Sequence, residues 1–216
     1  MKNSKINSLS IPEILALISA VSVLRKEKFL TDLLIYTKSK KIKRNKIYET
    51  LLQTYLFAGF PNALISLNIL QDIIPAKNTT KKTINNSQIL SKGEKTCRKI
   101  YGSKFDKLIS NINSFSPELS EWLITEGYGK VISRKVLSLK ERELSIISIL
   151  SCQKYESQLY SHINGAIRNK VTTGEIRSVI KNLELLGNKS YTKFGLKVFD
   201  KLLTNKNNIS KFIFFN

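Results

Sequence analysis

The chain has a single histidine, His162, in the stretch QLYSHINGAIRN at 158–169. Imidazole is the side chain whose ordinary charge change falls near neutrality, so this is the first place to look for proton chemistry. Helical spacing over 155–169 puts Tyr155, Leu159, Ile163, Ala166 and Ile167 on one face, with His162 in the middle of that stripe. It therefore points inward and needs partners for its ring nitrogens. The preceding helix offers one. In RELSIISILSC, Glu143 heads an otherwise apolar stripe of Ile146, Ile147 and Leu150. A carboxylate there is costly unless it is paired or sits at an opening. With a turn near 153–154, both residues lie roughly 14–15 Å from the hairpin end at 1.5 Å rise per residue. An antiparallel pair then sets carboxylate and imidazole at the same height, which is what a general acid/base pair requires. The alternative reading makes His162 a satisfied core residue, with Glu143 paired to Arg142 or Lys140 at the surface.

Other chemistries have less to stand on. Cys97 and Cys152 form no CxxC and no zinc-ligand spacing, so no metal site is expected, and they fit a reducing compartment as free thiols. The formal net charge is +20, from 36 basic and 16 acidic residues. Such a charge attracts phosphate without any motif, and it leaves a nucleic-acid partner open. The densest run, KSKKIKRNK (Lys38 to Lys46), has no interleaved aromatics and also reads as a solvated, compositional surface. The apolar stretch from Ile11 to Leu24 is too short to span a bilayer and is interrupted on approach by Pro12 and Glu13. It reads as a helix capped by Ser10. The expectation is a cytoplasmic protein with no membrane partner.

The elements that must position these residues are helical, for strand signals are nearly absent. Helices are expected at about 11–24, 27–39, 45–57, 61–71, 94–101, 104–113, 117–129, 139–153, 155–169, 173–186 and 190–204. The polar stretch 75–93 reads as a linker between an N-terminal half, 1–74, and a C-terminal half, 94–205, with 206–216 as an apolar tail. The halves look alike. KIYETLLQTYLFAGFPNALISLNIL aligns with GEIRSVIKNLELLGNKSYTKFGLKVF, setting Gly59 against Gly187 at an offset of 128. Each is a helix, a glycine break and a second helix, as an internal duplication would give.

Four stretches together resemble the carboxymuconolactone decarboxylase family, within the alkylhydroperoxidase D-like fold: GEKTCRKIYGSKFDKL, GYGKVISRKVLSLKERELSIISIL, QLYSHINGAIRNKVTTGEIRSVI and YETLLQTYLFAGFPNALISL. The likeness covers most of the chain outside 75–93 and the tail. It implies an all-α fold and homo-oligomers, trimers or hexamers. It also implies two chemistries. The peroxidase branch places a CxxC before a histidine and a glutamate nineteen residues before that histidine. Glu143 and His162 are 19 apart and match, but Tyr155 and Gln158 stand at the cysteine positions, so no dithiol cycle is available. The decarboxylase branch moves a proton beside a carbonyl or lactone and loses carbon dioxide, with no cofactor. Tyr128 and Arg134, in GYGKVISR, match an aromatic–Gly…Arg motif, and Arg134 either grips a substrate carboxylate or is a surface residue.

By the 128 offset, Leu15 stands opposite Glu143 and Leu34 opposite His162, so the first half lacks the pair. Tyr55, Phe57 and Phe60 either wall a composite site with the second half or are plain core. Three functions remain: an acid/base enzyme acting on a small carboxylated lactone or keto acid, a non-catalytic scaffold for nucleic acid or another anionic partner, and a peroxidase working through Cys152 alone, which the missing CxxC disfavours.

Overall fold

The computed structural model describes the backbone of residues 2–76 and 86–213, and the side-chain surroundings of 5–76 and 88–205. All regular structure among the described residues is helical. The chain runs α1 Lys2–Asn7, α2 Ile11–Val23, α3 Glu27–Ser39, α4 Arg44–Gln53, α5 Tyr55–Ile73, α6 Asn86–Tyr101, α7 Phe105–Asn113 and α8 Pro117–Trp122. A π-helical segment, Leu123–Ile132, follows. Then come α9 Leu139–Gln153, α10 Glu156–Arg168, α11 Thr173–Asn182, a 3-10 turn Leu183–Leu186 and α12 Lys189–Ile213.

Local chemistry sets the helix starts. The Ser10 N–H donates to Glu13 Oε2 at 2.8 Å, with proline at the start of α2. At α9 the Ser138 N–H donates to Glu141 Oε2 at 2.9 Å, and Ser138 Oγ accepts the Glu141 N–H at 3.2 Å. These capping boxes satisfy backbone donors that a helix start leaves unpaired. They lie 128 residues apart, as do Gly59 and Gly187, whose φ angles of 75° and 79° only glycine adopts without strain. The helix order α2–α5 thus recurs as α9–α12 at the offset seen in the sequence. The two halves also cross-contact through these glutamates. Glu13 accepts from Ser178 and, at 3.0 Å, from Asn182 on α11, while Glu141 accepts from Lys46 on α4.

Helices α2 and α9 lie side by side at the centre, buried without a break over 14–22 and 141–152. One apolar core, with Leu15, Leu34, Ile47 and Leu51, gathers around α2. The other, with Ile147, Leu159, Ile163 and Phe199, gathers around α9.

Several boundaries differ from expectation: the break between α4 and α5 falls at Thr54 rather than between 57 and 61, the expected helix 173–186 ends at Asn182 and continues as a 3-10 turn, and three others need more explanation. Helix α6 begins at Asn86, inside the stretch read as linker; residues 77–85 of that stretch lie outside the described ones. Its first turns look too polar to pack, but they bury Ile89 and Gly93. A Cβ on Gly93 would sit 2.2 Å from the Ile124 carbonyl oxygen, and one on Gly129 would sit 2.5 Å from that of Ile89. Glycine at both places lets α6 and the π-helical segment touch backbone to backbone. The expected helix 117–129 is α8 running into that π segment, which extends to Ile132. Helix α12 continues to Ile213, through the stretch read as a separate tail, whose side chains lie outside the described ones. Among the described residues no helix is long and apolar enough to cross a membrane.

Candidate active site

Helix α9 is buried all round, so Glu143 enters the C-terminal core wholly out of solvent, at 0% exposure. Helix α10 lies antiparallel to it, and His162 faces the same interior at 7%. The His162 Nδ1–H donates to Glu143 Oε2 at 3.0 Å. The equal height inferred from the sequence is thus met. The competing partners are occupied elsewhere: Lys140 pairs with Glu175, and Arg142 turns to Glu49. Gly165, one helical turn beyond His162, is what admits the carboxylate. A Cβ there would stand 2.7 Å from Ile100 Cγ2 and 3.1 Å from Glu143 Oε2.

With Nδ1 engaged, Nε2 is the free nitrogen of the ring, and it has no hydrogen-bond partner among the described residues. Glu143 Oε1 is buried and also unpartnered, an arrangement that costs free energy unless something else meets it.

Three more polar groups converge from α6 and the π-helical segment. Tyr101 meets the His162 ring edge-on, centroids 6.2 Å apart, and its hydroxyl accepts from Tyr128 at 3.3 Å. Burial pushes the Tyr101 phenol up to about 12; the hydrogen bond from Tyr128 opposes this, and the Glu143 charge adds to it. Burial likewise drives Tyr128 well above its ordinary value. Cys97 is raised to about 12 by burial, against Arg98 and with Glu143. All three groups are therefore neutral near pH 7 and feel the Glu143 carboxylate. Tyr101 and Gly165 escape a sequence reading because each matters only through a neighbour that the fold supplies.

The other expected site residues are dispersed. Arg134, half-buried, spends its guanidinium on Glu49, with Nε 2.8 and 2.9 Å from the two carboxylate oxygens. Fully buried Arg142 reaches the same Glu49 at 3.1 Å, Gln53 at 3.2 Å and the Arg134 carbonyl at 2.9 Å. This network ties α4 to α9 across the halves. Tyr155 is 53% exposed at the N-cap of α10, off the buried stripe, because the helix begins one residue later. Gln158 is exposed as well. Tyr55 packs against the C-terminal core, donates to Glu126 at 3.2 Å and stacks on Phe60 at 5.0 Å. Phe57 packs on the same core, and its carbonyl accepts from Gln153; Phe60 is 68% exposed. So Tyr55 and Phe57 wall the second half's core, while Phe60 does not.

Cys152 is buried in the other core, the one around α2, and burial raises its thiol to about 12. The reactive species is the thiolate, so this thiol is inert at neutral pH and sits apart from His162. Among the described residues no three His, Cys, Asp or Glu side chains converge as metal ligands.

Fold and site together define an all-α protein with a buried carboxylate–imidazole dyad between two antiparallel helices. Residues 117–198, which carry both members of the dyad, match the carboxymuconolactone decarboxylase family. Over this segment the chain is similar to that family. It is 25% identical over 103 residues to the 4-carboxymuconolactone decarboxylase of Acinetobacter baylyi, covering 47% of this chain and 77% of that one. It is 27% identical over 144 residues to Peroxisomal protein 2 of Schizosaccharomyces pombe, covering 65% and 67% of the two chains. To Peroxisomal protein 2 of Saccharomyces cerevisiae it is 24% identical over 166 residues, covering 62% and 59%.

Proposed function

We propose that the protein is a cofactor-free lyase using general acid/base chemistry on a small carboxylated lactone or keto acid. His162 moves the proton at Nε2. Glu143 fixes the ring's orientation and stabilises the imidazolium that forms. A decarboxylation next to a carbonyl breaks the bond to the carboxylate carbon, releases carbon dioxide and leaves the electron pair in an enolate. One proton, taken up from solvent at Nε2 to form the imidazolium and delivered from there, then closes the balance on carbon and returns the ring to its neutral form. The observation that carries this reading is the Nδ1–Glu143 bond at 3.0 Å, with Nε2 unpartnered in a residue that retains slight exposure. Neutral Tyr101 and Tyr128 hydroxyls, the first on a ring edge-on to His162, are suited to hydrogen-bond a substrate oxygen.

The family match over 117–198 and the similarity to a named decarboxylase support this reading. In it the two halves descend from one duplicated unit, only the second keeping the dyad. The assembly is a homo-oligomer, and Phe115, Leu119 and Trp122, all more than half exposed around α8, supply apolar surface for it. The compartment is the cytoplasm or, following the printed name of two relatives, the peroxisome.

The test is a thermal-shift screen against small lactones, keto acids and dicarboxylates, followed by turnover of each hit. His162→Ala and Glu143→Gln should abolish turnover. Full turnover in both variants would mean the dyad is not catalytic.

A second reading makes the dyad structural and the protein a scaffold for an anionic partner such as nucleic acid. Two observations favour it: Arg134 is occupied by Glu49, and the net charge is +20. A short DNA duplex in the same screen at low salt, stabilising wild type and His162→Ala alike, would support it.

A further inference from the structure

The densest basic run of the sequence, Lys38 to Lys46, is not where the fold concentrates positive charge around a concavity. Lys92, Lys95 and Lys99 share one exposed face of α6, spanning roughly 10 Å at helical rise. Across from them stand Lys130, Arg134 and Lys135, from the π-helical segment and the turn after it. Together they line a groove of about 1030 Å³ with no aspartate or glutamate in its wall. Two cations are matched from outside, Lys130 by Glu126 and Arg134 by Glu49. Lys92 donates to Gln88 at 2.8 Å. Lys95, Lys99 and Lys135 have no carboxylate partner among the described residues. A groove of about 930 Å³ beside α3 is unlike it, setting Glu27 and Asp32 among its lysines.

The floor is as telling as the rim. It is made by Ile132, Val136, Leu137 and Leu139, with Val136 41% exposed, and no aromatic ring lines it. Grooves for single-stranded nucleic acid pair their basic rim with rings on which bases stack, and this groove offers none. Its volume matches the upper end of small-molecule sites, roughly 300–1,000 Å³. A basic rim over an aliphatic floor fits a ligand that is itself divided into a multiply charged head and an apolar chain.

We propose that this groove binds a soluble amphiphile with a diphosphate or larger phosphate head and a short aliphatic chain. The head lies along Lys92, Lys95, Lys99 and Lys135, and the chain on Val136 and Leu139. The site is separate from the acid/base dyad. The same α6 turns Cys97 and Ile100 into the core at 0% exposure while its lysines face the groove. The proposal therefore does not rest on the enzyme reading.

The test is calorimetric titration of the full chain with n-octyl diphosphate, with inorganic pyrophosphate and octanoate as head-only and chain-only probes. Octyl diphosphate should bind about tenfold or more tighter than either. The exposed triple variant Lys95→Gln/Lys99→Gln/Lys135→Gln should weaken it by about tenfold or more, and Val136→Asp should weaken octyl diphosphate more than pyrophosphate. Lys40→Gln/Lys41→Gln/Lys43→Gln, which removes as many charges elsewhere, should leave it unchanged, as should His162→Ala. Equal weakening by the two triple variants would overturn the proposal, since diffuse charge would then suffice. So would pyrophosphate binding as tightly as octyl diphosphate, binding confined to phosphatidate vesicles, or binding of a DNA duplex alone.

Discussion

Replacing the whole dyad by leucine separates its role in chemistry from any role in packing. At the corresponding positions of α2 and α3, Leu15 and Leu34 are both fully buried, so the helix arrangement accepts leucine at both places. Glu143→Leu alone should destabilise, because it strands His162 Nδ1 in a 7%-exposed pocket; an unpaired buried polar group costs about 1–3 kcal/mol. The double variant Glu143→Leu/His162→Leu removes both partners together with the orphaned Glu143 Oε1. Substituting apolar residues of similar size for a buried charged pair is commonly neutral or stabilising by about 1–4 kcal/mol. In a chain of this length each kcal/mol moves Tm by about 2–4 °C. The expectation is a double variant melting at or above the wild type, with no turnover of any substrate found by screening. Circular dichroism melts and urea titrations read the first part, and substrate assays the second. A double variant less stable than wild type by more than about 2 kcal/mol would refute the reasoning, since the pair would then be a packing element that the fold needs.

Three further outcomes follow. Glu49→Gln leaves the fully buried Arg142 guanidinium without its carboxylate and should cost about 3–5 kcal/mol in urea unfolding, with Glu49→Leu/Arg142→Met recovering most of it; a loss under about 1 kcal/mol would show that the network is slack. Gly165→Ala presses a methyl against Ile100 and Glu143, and should cost about 1–3 kcal/mol by thermal melt and lower turnover more than it lowers stability at the assay temperature. Glu141 sits in a capping box; burial raises its pKa, but hydrogen bonds from Lys46 and Ser138 outweigh this and hold it below the ordinary value. A depressed folded pKa gives stability that is present above the unfolded value and lost as pH falls through the folded one, so acid unfolding should steepen below about pH 4. Glu141→Gln should flatten that limb, and an unchanged acid limb would count against this reading of Glu141.

How far the sequence revealed the site depended on where each residue's partners lie. Helices 27–39 and 139–153 are bounded as expected because their signals, a capping serine or a change of periodicity, are local. The Glu143–His162 pair was legible because a hairpin converts sequence distance into height, and nothing but the two helices was needed. Arg134 was not, because its fate depends on Glu49, 85 residues away across the halves. The start of α6 was hidden for a related reason. Polar residues around Gly93 look like linker until the Ile124 carbonyl is known to need a neighbour without a side chain.

The contrast between the halves bears on function more directly than either half does alone. Both use the same capping serine and glutamate, a glycine of positive φ at the same place and the same helix order, so the scaffold's requirements are visible as what the two share. Glu143, His162 and the orphaned Oε1 fall outside that shared set. A fold that manages with Leu15 and Leu34 in one half has no packing reason to bury a half-satisfied carboxylate in the other. Buried polar groups with unmet hydrogen bonds are costly, and they persist where something other than stability retains them. The C-terminal half retains them beside a neutral pair of tyrosines and an imidazole with one nitrogen free. That is the reason for seeking a substrate there before seeking a partner for the charged surface.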